Sequence, residues 1–348
     1  MNLLIITQKV DEKDDLLGFF VDWLRGFADK FDEVFVITLY KGSYDLPQNV
    51  HVYSLGKEKG NSKIARAFNF YRYLFKLVPK SSGIFAHMSP VFVIASWPVT
   101  SLFGKKIILW YLHRSVTFRL KLAEKLSYKI VTANKESLKI ESKKIIETGH
   151  GINIDKFKTN RSWSDEELKI LSVGRISPIK NYETLIKAMA ILKNEGYPQI
   201  DIIGKPVMPS DFQYFDKLKT MIGNDENSVI NFVGYIPHTE MPDYYKKANL
   251  VINLAPTGGL DKVVLEAIAS GCIALTSNIN FGKYFGPYND QLLFDFNNSE
   301  SLALKIKQIR AMSPNEKTEI SDFLVRSVEE NHNLINLINK ISNLYEQG

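Results

Sequence analysis

Residues 170–192 read "ILSVGRISPIKNYETLIKAMAIL" and contain the pattern that decides the fold. An apolar run ends at Gly174, and an amphipathic helix pattern begins near Asn181. Two cations, Arg175 and Lys180, lie five residues apart in the connection. The first N–H groups of a helix lack partners and favour anions, so two cations beside that end predict a phosphate or diphosphate site. The alternative is that both cations are ordinary solvated surface residues.

The same alternation of apolar runs and helical patterns extends along the chain. Strands separated by helices of this length predict right-handed crossovers and parallel sheets covered on both faces. The predicted strands are 2–7, 33–40, 50–56, 83–88, 106–113, 129–133, 144–149, 169–174, 199–204, 229–234, 250–255 and 272–277.

The polar stretch 155–168 interrupts this alternation in mid-chain. We therefore predict an α/β protein with two doubly wound, Rossmann-like parallel-sheet domains facing across a cleft. The first domain would comprise residues 1–160 and the second residues 161–348, with the last helices, 325–348, packing back on the first domain.

The composition is that of a soluble globular protein, with 45% apolar and 24% charged residues. The single cysteine, Cys272, excludes an internal disulfide and predicts a reducing, cytoplasmic location. The uncharged stretch 83–104 contains two prolines and several hydroxyl groups. It therefore predicts a strand followed by a buried helix rather than a membrane span.

A second strand-to-helix connection lies at 253–271, "NLAPTGGLDKVVLEAIASG". Its paired glycines, Gly258 and Gly259, let the backbone approach a ligand, and a helix pattern follows from Asp261. Glu266 lies in that helix among apolar neighbours, where a carboxylate needs a partner. In a parallel sheet this turn opens on the same edge as the turn that carries Arg175 and Lys180. A carboxylate beside a diphosphate site is suited to binding ribose hydroxyls. The alternative is a glutamate on the helix surface.

Together these connections resemble the C-terminal half of GT-B glycosyltransferases, a large family of retaining enzymes that use nucleotide sugars. The resemblance is carried by "SVGRISPIKNYETLIKA" and "GGLDKVVLEAIASGCIALTS". It extends to "LLGFF" at 16–20 and "GHGINIDKF" at 149–157, and so covers most of the chain. It implies the GT-B fold and a nucleotide-sugar donor.

The resemblance also implies roles for residues in the second half of the chain. The donor diphosphate would bind to Arg175 and Lys180, in the connection that begins at Gly174. Glu266 would bind the ribose. The base would be held through backbone groups of the turn Gly234, Tyr235 and Ile236. The sugar phosphate would be lined by Gly258, Gly259 and Leu260.

The chain departs from the family pattern at one position. Family members have a second glutamate eight residues before the ribose-binding one, in contact with the transferred sugar, and here that position is Gly258. Asp261 is the nearby carboxylate that we consider as its substitute. The loss also supports a different class of protein, a non-catalytic nucleotide-binding subunit that keeps the fold.

The first half of the chain supplies further candidates. The resemblance implies that a glycine turn after the first strand, here Gly18, lies near the donor phosphates; the alternative is a glycine early in an amphipathic helix. The resemblance also implies a histidine at the end of a central strand, near the reacting sugar, and His113 fits that position. The alternative is that His113 is only a structural strand-end residue. His87 is a second strand-end candidate on the acceptor side. His150 is a site residue or a loop residue. His51, His238 and His332 have no company in the sequence, and we expect them to be structural or exposed.

Positive charge is concentrated in the first half. Residues 1–160 carry 25 Lys and Arg against 15 Asp and Glu, whereas residues 161–348 carry 19 against 23. No acid occurs between Glu58 and Glu124. Residues 61–80 form a basic, aromatic helix pattern that predicts either a core-facing stripe or binding to an anionic membrane surface. The apolar residues at helical spacing are Ile64, Phe68, Tyr71, Phe75 and Val78.

We therefore expect a retaining glycosyltransferase of the hexosyltransferase class that uses a UDP- or GDP-linked sugar. The chain has no Asp-x-Asp sequence and no Cys/His cluster, so we expect neither a metal ion nor a cofactor. His113, Arg175, Lys180 and Glu266 would support catalysis, with the cations stabilising charge on the departing diphosphate.

The acceptor would be a glycan or a polyprenyl-linked sugar in polysaccharide biosynthesis. The protein would then lie in the cytoplasm, peripheral on the inner face of the cytoplasmic membrane. Epimerisation and phosphorolysis on the same fold match the motifs less well. Nucleic-acid binding is not expected, because the basic half lacks a recognition motif.

Overall fold

A computed structural model of the chain describes residues 1–164, 168–197, 199–223, 229–256 and 258–346. The chain forms two compact units: unit 1 contains residues 1–153 and 332–348, and unit 2 contains residues 154–331. All predicted site residues lie in the described ranges. Residues 165–167 of the predicted polar connection lie outside them.

In the described ranges, each predicted strand is confirmed, with differences of a few residues at the ends. The strands are β1 (Asn2–Val10), β2 (Glu33–Lys41), β3 (Val50–Ser54), β4 (Gly83–His87), β5 (Lys106–Trp110), β6 (Lys129–Thr132), β7 (Ile145–Glu147), β8 (Ile170–Val173), β9 (Ile200–Ile203), β10 (Ile230–Gly234), β11 (Leu250–Asn253) and β12 (Ile273–Thr276). The helices are α1 (Phe20–Ala28), α2 (Lys63–Leu77), α3 (Pro90–Leu102), α4 (Phe118–Leu126), α5 (Ile154–Phe157), α6 (Tyr182–Leu192), α7 (Pro209–Ile222), α8 (Met241–Lys247), α9 (Lys262–Ala269), α10 (Gly282–Phe285), α11 (Asn289–Leu292), α12 (Ser299–Ala311), α13 (Pro314–His332) and α14 (Leu334–Glu346).

Unit 1 is built on a parallel sheet with the strand order β3-β2-β1-β4-β5-β6-β7. Successive side chains of a strand point to opposite faces, and here helices cover both faces. Leu3 and Ile5 pack with α1 on one face, whereas Leu4 and Ile6 pack with α2, α3 and α4 on the other. Burial on both faces explains why these strands are nearly continuous apolar runs.

The uncharged stretch 83–104 forms the predicted strand, β4, and a helix, α3. The prediction that this helix is buried was wrong in part, because Val91, Trp97 and Leu102 of α3 are exposed. Among the helices in the described part of the chain, none combines the length and the apolar character that a membrane span requires.

The last helix, α14, packs on unit 1. Leu337 and Ile341 belong to the same buried cluster as Trp23 of α1. The hydroxyl of Tyr345 donates to the carbonyl of Ile84 (2.7 Å), and its ring lies where a side chain at Gly83 would be. A Cβ atom on Gly83 would be 2.2 Å from that ring, so the close approach of α14 to β4 requires glycine.

Unit 2 is built on a second parallel sheet with the order β10-β9-β8-β11-β12. The chain therefore consists of two parallel-sheet α/β units, which confirms the predicted fold class. The central strand β8 pairs with β9 on one side and β11 on the other, so the connections that follow these strands share one edge.

The predicted polar connection begins with the short helix α5, which the sequence pattern did not predict. Ile154 and Phe157 lie three residues apart and are both buried, and α5 packs against α8 and α9. Only two apolar residues define this helix, too few for a recognisable period.

Leu337 on α14 is fully buried, whereas Ile335 on the same helix is exposed. We expect Leu337→Ala to destabilise unit 1 by about 2–5 kcal/mol, because it removes packed methyl groups and leaves a cavity. We expect Ile335→Ala to cost less than about 0.5 kcal/mol. Urea unfolding followed by amide hydrogen exchange measures the free energy of unfolding for each unit. Similar small losses for both variants would contradict the packing of α14 on unit 1.

Candidate functional site

Three glycines lie side by side where β8, β9 and β10 end: Gly174, Gly204 and Gly234. The N–H of Gly174 donates to the carbonyl of Ile203 (3.0 Å), and the N–H of Gly204 donates to the carbonyl of Gly234 (2.8 Å). A Cβ atom on Gly204 would lie 1.9 Å from the carbonyl oxygen of Gly174. These glycines form a backbone edge without side chains, which we call the glycine edge, and a ligand can approach it closely.

Gly234 requires glycine for a different reason. Its φ is 91°, and nothing lies within 4 Å of the position of a Cβ atom, so the backbone conformation rather than packing excludes other residues. The next residue, Tyr235, has its ring centre 4.1 Å from Nζ of Lys205. The residues that the resemblance assigned to the base therefore lie beside a cation from the connection after β9.

Arg175 follows the glycine edge and is ion-paired. Its Nε lies 3.6 Å from Oδ2 of Asp211, and the guanidinium remains partly exposed. Asp211 is buried, and its carboxylate also accepts from the N–H groups of Val207 (3.2 Å) and Met208 (2.9 Å) at the start of α7. The structure thus fixes Arg175 with a carboxylate that the sequence pattern did not single out.

Lys180 joins the two predicted turns. Its Nζ donates to Oδ2 of Asp261 (2.7 Å), the residue that precedes α9. The same carboxylate accepts from Nδ2 of Asn253 (2.6 Å) at the end of β11, and Asn253 accepts from the hydroxyl of Thr276 (3.2 Å) at the end of β12. One chain of contacts therefore connects the ends of three neighbouring strands, and the two turns lie on the same edge, as predicted.

Tyr182, the first residue of α6, holds the end of β8 against that helix. It is fully buried, and its hydroxyl donates to the carbonyl of Gly174 (3.1 Å). Burial raises the pKa of Tyr182 well above its ordinary value, so the hydroxyl stays protonated as a donor. Its backbone N–H donates to the hydroxyl of Tyr214 (2.8 Å). Tyr182 lies among the buried residues of α6, so its position in the sequence does not distinguish it from the apolar residues of that helix.

Gly258 and Gly259 form the turn between β11 and α9. Nδ2 of Asn280 donates to the carbonyl of Gly258 (2.6 Å), and Nδ2 of Asn278 donates to the carbonyl of Gly259 (3.1 Å). The next residue, Leu260, is buried. Side chains from the connection after β12 therefore fix the backbone of this turn.

Glu266 is buried in α9, and its partner is His238. Nε2 of His238 lies 2.9 Å from Oε1 of Glu266, and Nζ of Lys156 lies 3.4 Å from Nδ1 of the same ring. The neutral His238 tautomer with a proton on Nε2 fits both contacts. The sequence pattern did not identify Glu266 as the partner of His238, because the two residues lie 28 positions apart in the sequence. Burial, together with the negative charge of Glu266, raises the pKa of Tyr245 well above its ordinary value.

The candidates of unit 1 lie in different environments. His87, at the end of β4, is fully buried; its ring stacks on Phe20 with centres 3.8 Å apart, and its Nδ1 lies 3.1 Å from the hydroxyl of Thr7. His113 lies beyond β5 and is exposed, and its Nδ1 accepts from the N–H of Ser115 (3.1 Å). His113 is therefore accessible to a substrate, whereas His87 is not in this conformation.

Gly18 lies in a turn immediately before α1. A Cβ atom there would be 2.7 Å from carbonyl oxygens of Glu12 and Asp14. Burial favours a raised pKa at Asp14, but its contacts with Lys9 and with backbone N–H groups lower the pKa. The turn is therefore held by a charged carboxylate.

His150 lies in the loop that follows β7. It is buried, its N–H donates to Nδ1 of His332 (3.2 Å), and the two rings are 5.8 Å apart. His332 begins the return of the chain to unit 1, so this pair lies where the two segments of that unit meet.

The fold places the chain in a known class. Over 100% of both chains it matches the crystal structure of HepE from Anabaena in complex with UDP, with a TM-score of 0.76 and 15% identity. It also matches sucrose-phosphate synthase from Thermosynechococcus elongatus over 99% of this chain and 98% of that chain, with a TM-score of 0.77 and 16% identity. Two parallel-sheet α/β units with these neighbours define the GT-B glycosyltransferase fold.

Sequence comparison matches part of the chain to a family. Residues 153–321 match the family "Glycosyl transferases group 1", so the resemblance to GT-B glycosyltransferases is confirmed. The chain is 32% identical over 146 residues to the alpha-monoglucosyldiacylglycerol synthase of Streptococcus pneumoniae (strain ATCC BAA-255 / R6), covering 41% of this chain and 30% of that protein. The chain spans about a third of the length of the curated relatives it matches, 30% and 35%.

The contact between His238 and Glu266 leads to a stability prediction. We expect His238→Ala to destabilise unit 2 by about 2 kcal/mol or more, because it leaves a buried carboxylate without its donor. His238→Gln keeps an N–H donor and should recover part of the loss. The free energy of unfolding of each unit, measured in urea, is the readout.

His51→Ala is the matched control, because the His51–Glu33 pair (2.5 Å) is partly exposed, at 43% of each side chain, whereas Glu266 is buried. Its removal should cost less than about 1 kcal/mol. A His238→Ala variant as stable as His51→Ala would contradict the role of His238 as the partner of Glu266.

Proposed function

We propose that the protein transfers a sugar from a nucleoside-diphosphate sugar to an acceptor hydroxyl, with retention of anomeric configuration. The proposal rests on one observation above others: Lys180 lies beside Gly174 of the glycine edge and binds Asp261, so it stands near the starts of both α6 and α9. This is an arrangement that suits a diphosphate.

The diphosphate would bind to Lys180 and Arg175. Both cations are paired with carboxylates, and both side chains keep some exposure, so a phosphate oxygen can share each of them. When the glycosidic C–O bond breaks, negative charge develops on the departing phosphate oxygen. Fixed cations stabilise that charge without the reorganisation that water would need.

Glu266 would bind the ribose. A carboxylate has about four acceptor positions, and the contact with His238 uses one of them. Ribose hydroxyls can donate to the others. The buried surroundings of Glu266 strengthen such hydrogen bonds, because the local dielectric constant is low.

In the proposed reaction the acceptor oxygen attacks the anomeric carbon on the face from which the diphosphate departs. The C–O bond to the acceptor forms as the C–O bond to phosphate breaks, and the acceptor proton passes to a phosphate oxygen of the leaving group. His113, which is exposed in unit 1, would orient the acceptor rather than take its proton. No metal ion or cofactor takes part in this proposal.

Two relatives support finer choices. HepE is a structural neighbour in complex with UDP, which favours uridine over guanosine as the base. The synthase from Streptococcus pneumoniae has a glucosyldiacylglycerol in its name, which favours a lipid-linked acceptor over a free glycan. Both choices are part of the proposal, together with a place in glycolipid or polysaccharide biosynthesis.

The second candidate function is a nucleotide-binding subunit without catalysis. Gly258 supports it, because this position carries no carboxylate to contact the transferred sugar. Nucleotide binding without turnover of any nucleotide sugar would favour this candidate.

Thermal unfolding with UDP, GDP and ADP tests the donor site. A ligand at about 100 times its dissociation constant stabilises the folded protein by roughly 2.7 kcal/mol. We expect UDP to stabilise the wild type. We expect no stabilisation by UDP in the double variant Arg175→Ala, Lys180→Ala. The matched control is Lys187→Ala, Lys246→Ala, which removes two exposed cations of unit 2 elsewhere. No stabilisation by any of the three nucleotides would contradict the proposal.

Asp261 provides a sharper test, because its carboxylate already binds the Lys180 ammonium group and would repel a diphosphate. We expect Asp261→Asn to tighten UDP binding about fivefold, the effect of about 1 kcal/mol expected for one charge at 4 Å in water. Isothermal titration calorimetry measures the dissociation constant. Asp216→Asn, on the exposed surface of α7, is the control. If Asp261→Asn weakens UDP binding, Asp261 does not compete with the diphosphate for Lys180.

A further inference from the structure

One face of the sheet in unit 1 is covered by a layer of three helices, α2, α3 and α4. Their inward side chains, including Phe70, Val93 and Leu120, share one buried cluster with Ile84 and Leu109 of the sheet. The helix α3 contacts both α2 and α4. We call these three helices, with the residues that connect them to the sheet, the helix layer; its outward side faces away from the sheet.

The helix α2 has two apolar faces. Phe70, Leu74 and Leu77 are buried against the sheet. The outward stripe consists of Ile64 (83% exposed), Phe68 (70%), Tyr71 (40%) and Phe75 (53%). At 100° per residue these four side chains lie within about 60° of one another and well away from the buried face. The core-facing interpretation of this stripe was therefore wrong, except for Val78, which is buried.

The apolar surface continues onto α3 and α4. Trp97 and Leu102 of α3 are exposed, and Phe118 at the start of α4 is 80% exposed. Single exposed apolar residues are ordinary on protein surfaces. A set of large ones on three adjacent helices is not, and such a surface marks an interaction site.

The charge of this layer is positive except at Glu124 of α4, whose carboxylate accepts from the hydroxyl of Ser142 (2.6 Å). Between Glu58 and Glu124 the chain has eleven Lys and Arg and no acid. Arg72 and Lys76 are exposed beside the stripe of α2, and Lys121 is exposed on α4. Large apolar side chains with basic neighbours, and no acids among them, are the composition of surfaces that lie in the interface of an anionic bilayer.

We propose that the outward side of the helix layer docks on an anionic lipid bilayer, with the stripe of α2 inserted at the level of the headgroups. Two copies of the chain would bring like charges together at this face, which disfavours a symmetric dimer through it. Nucleic acid would leave Ile64, Phe68 and Leu102 without apolar partners. The inference does not depend on the proposed transfer reaction, because the helix layer belongs to unit 1 and the donor candidates Arg175, Lys180 and Glu266 belong to unit 2.

Co-sedimentation with vesicles tests the proposal. The full chain is mixed with vesicles of phosphatidylglycerol and phosphatidylcholine at 3:1 (about 75% anionic lipid), or with phosphatidylcholine alone, at about 0.1 M salt. We expect binding to the anionic vesicles, weakened by higher salt, and little binding to the neutral ones. Equal binding to both compositions, or none to either, would overturn the proposal.

Two sets of variants identify the face. We expect vesicle binding to be lost in the triple variant Ile64→Ser, Phe68→Ser, Phe75→Ser. The control is the triple variant Ile191→Ser, Leu304→Ser, Ile335→Ser, which removes three exposed apolar residues outside the layer and should bind like the wild type. Arg72→Glu, Lys76→Glu should lower the partition coefficient roughly 25-fold or more, given the usual contribution of each basic residue. The control here is Lys187→Glu, Lys246→Glu.

Far-ultraviolet circular dichroism and stabilisation by UDP check that each variant is folded and that unit 2 still works. Sedimentation without vesicles reports self-association. Loss of vesicle binding with folding and UDP response intact supports docking through the helix layer. A dimer that becomes a monomer in the serine variant, with vesicle binding unchanged, would show that the layer binds a second copy and would overturn the proposal.

Discussion

The ion pair between Lys180 and Asp261 is the contact that positions the proposed site before a ligand binds, because it joins two connections that are 81 residues apart in the sequence. Without it, the turn after β8 and the turn before α9 would each present one uncompensated charge. Asn253 and Thr276 extend the contact to the ends of β11 and β12. The parallel order of the sheet makes this possible, since it brings the carboxyl ends of these strands to one edge.

Every charged candidate in unit 2 follows the same arrangement. Lys180 is paired with Asp261, Arg175 with Asp211, and Glu266 with His238. A partly buried charge without a partner would destabilise the unit, so the protein holds these groups in place with one another. A bound diphosphate or ribose would then add to existing contacts or replace them, which makes ligand affinity sensitive to the carboxylates as well as to the cations.

The strands and the shared edge of unit 2 could be predicted from the sequence because strands buried on both faces leave long apolar runs. His238 and Asp211 could not, because each reaches its partner only through folding over 28 and 36 residues, 266 − 238 and 211 − 175. Gly204 could have been predicted as part of the glycine edge. The apolar run "QIDIIG" ends in glycine, as do the strand-like runs before and after it in the sequence. The stripe of α2 was recognised, but its periodicity could not tell inward from outward, because this helix is apolar on both sides.

The central claim is that the glycine edge and Lys180 hold a nucleoside diphosphate. A crystal structure of the protein with UDP tests it most directly. The account predicts a diphosphate oxygen at about 2.7–3.2 Å from Nζ of Lys180, the usual range for such a hydrogen bond, and ribose hydroxyls donating to Glu266. UDP bound elsewhere, with Lys180 still held by Asp261 alone, would contradict it.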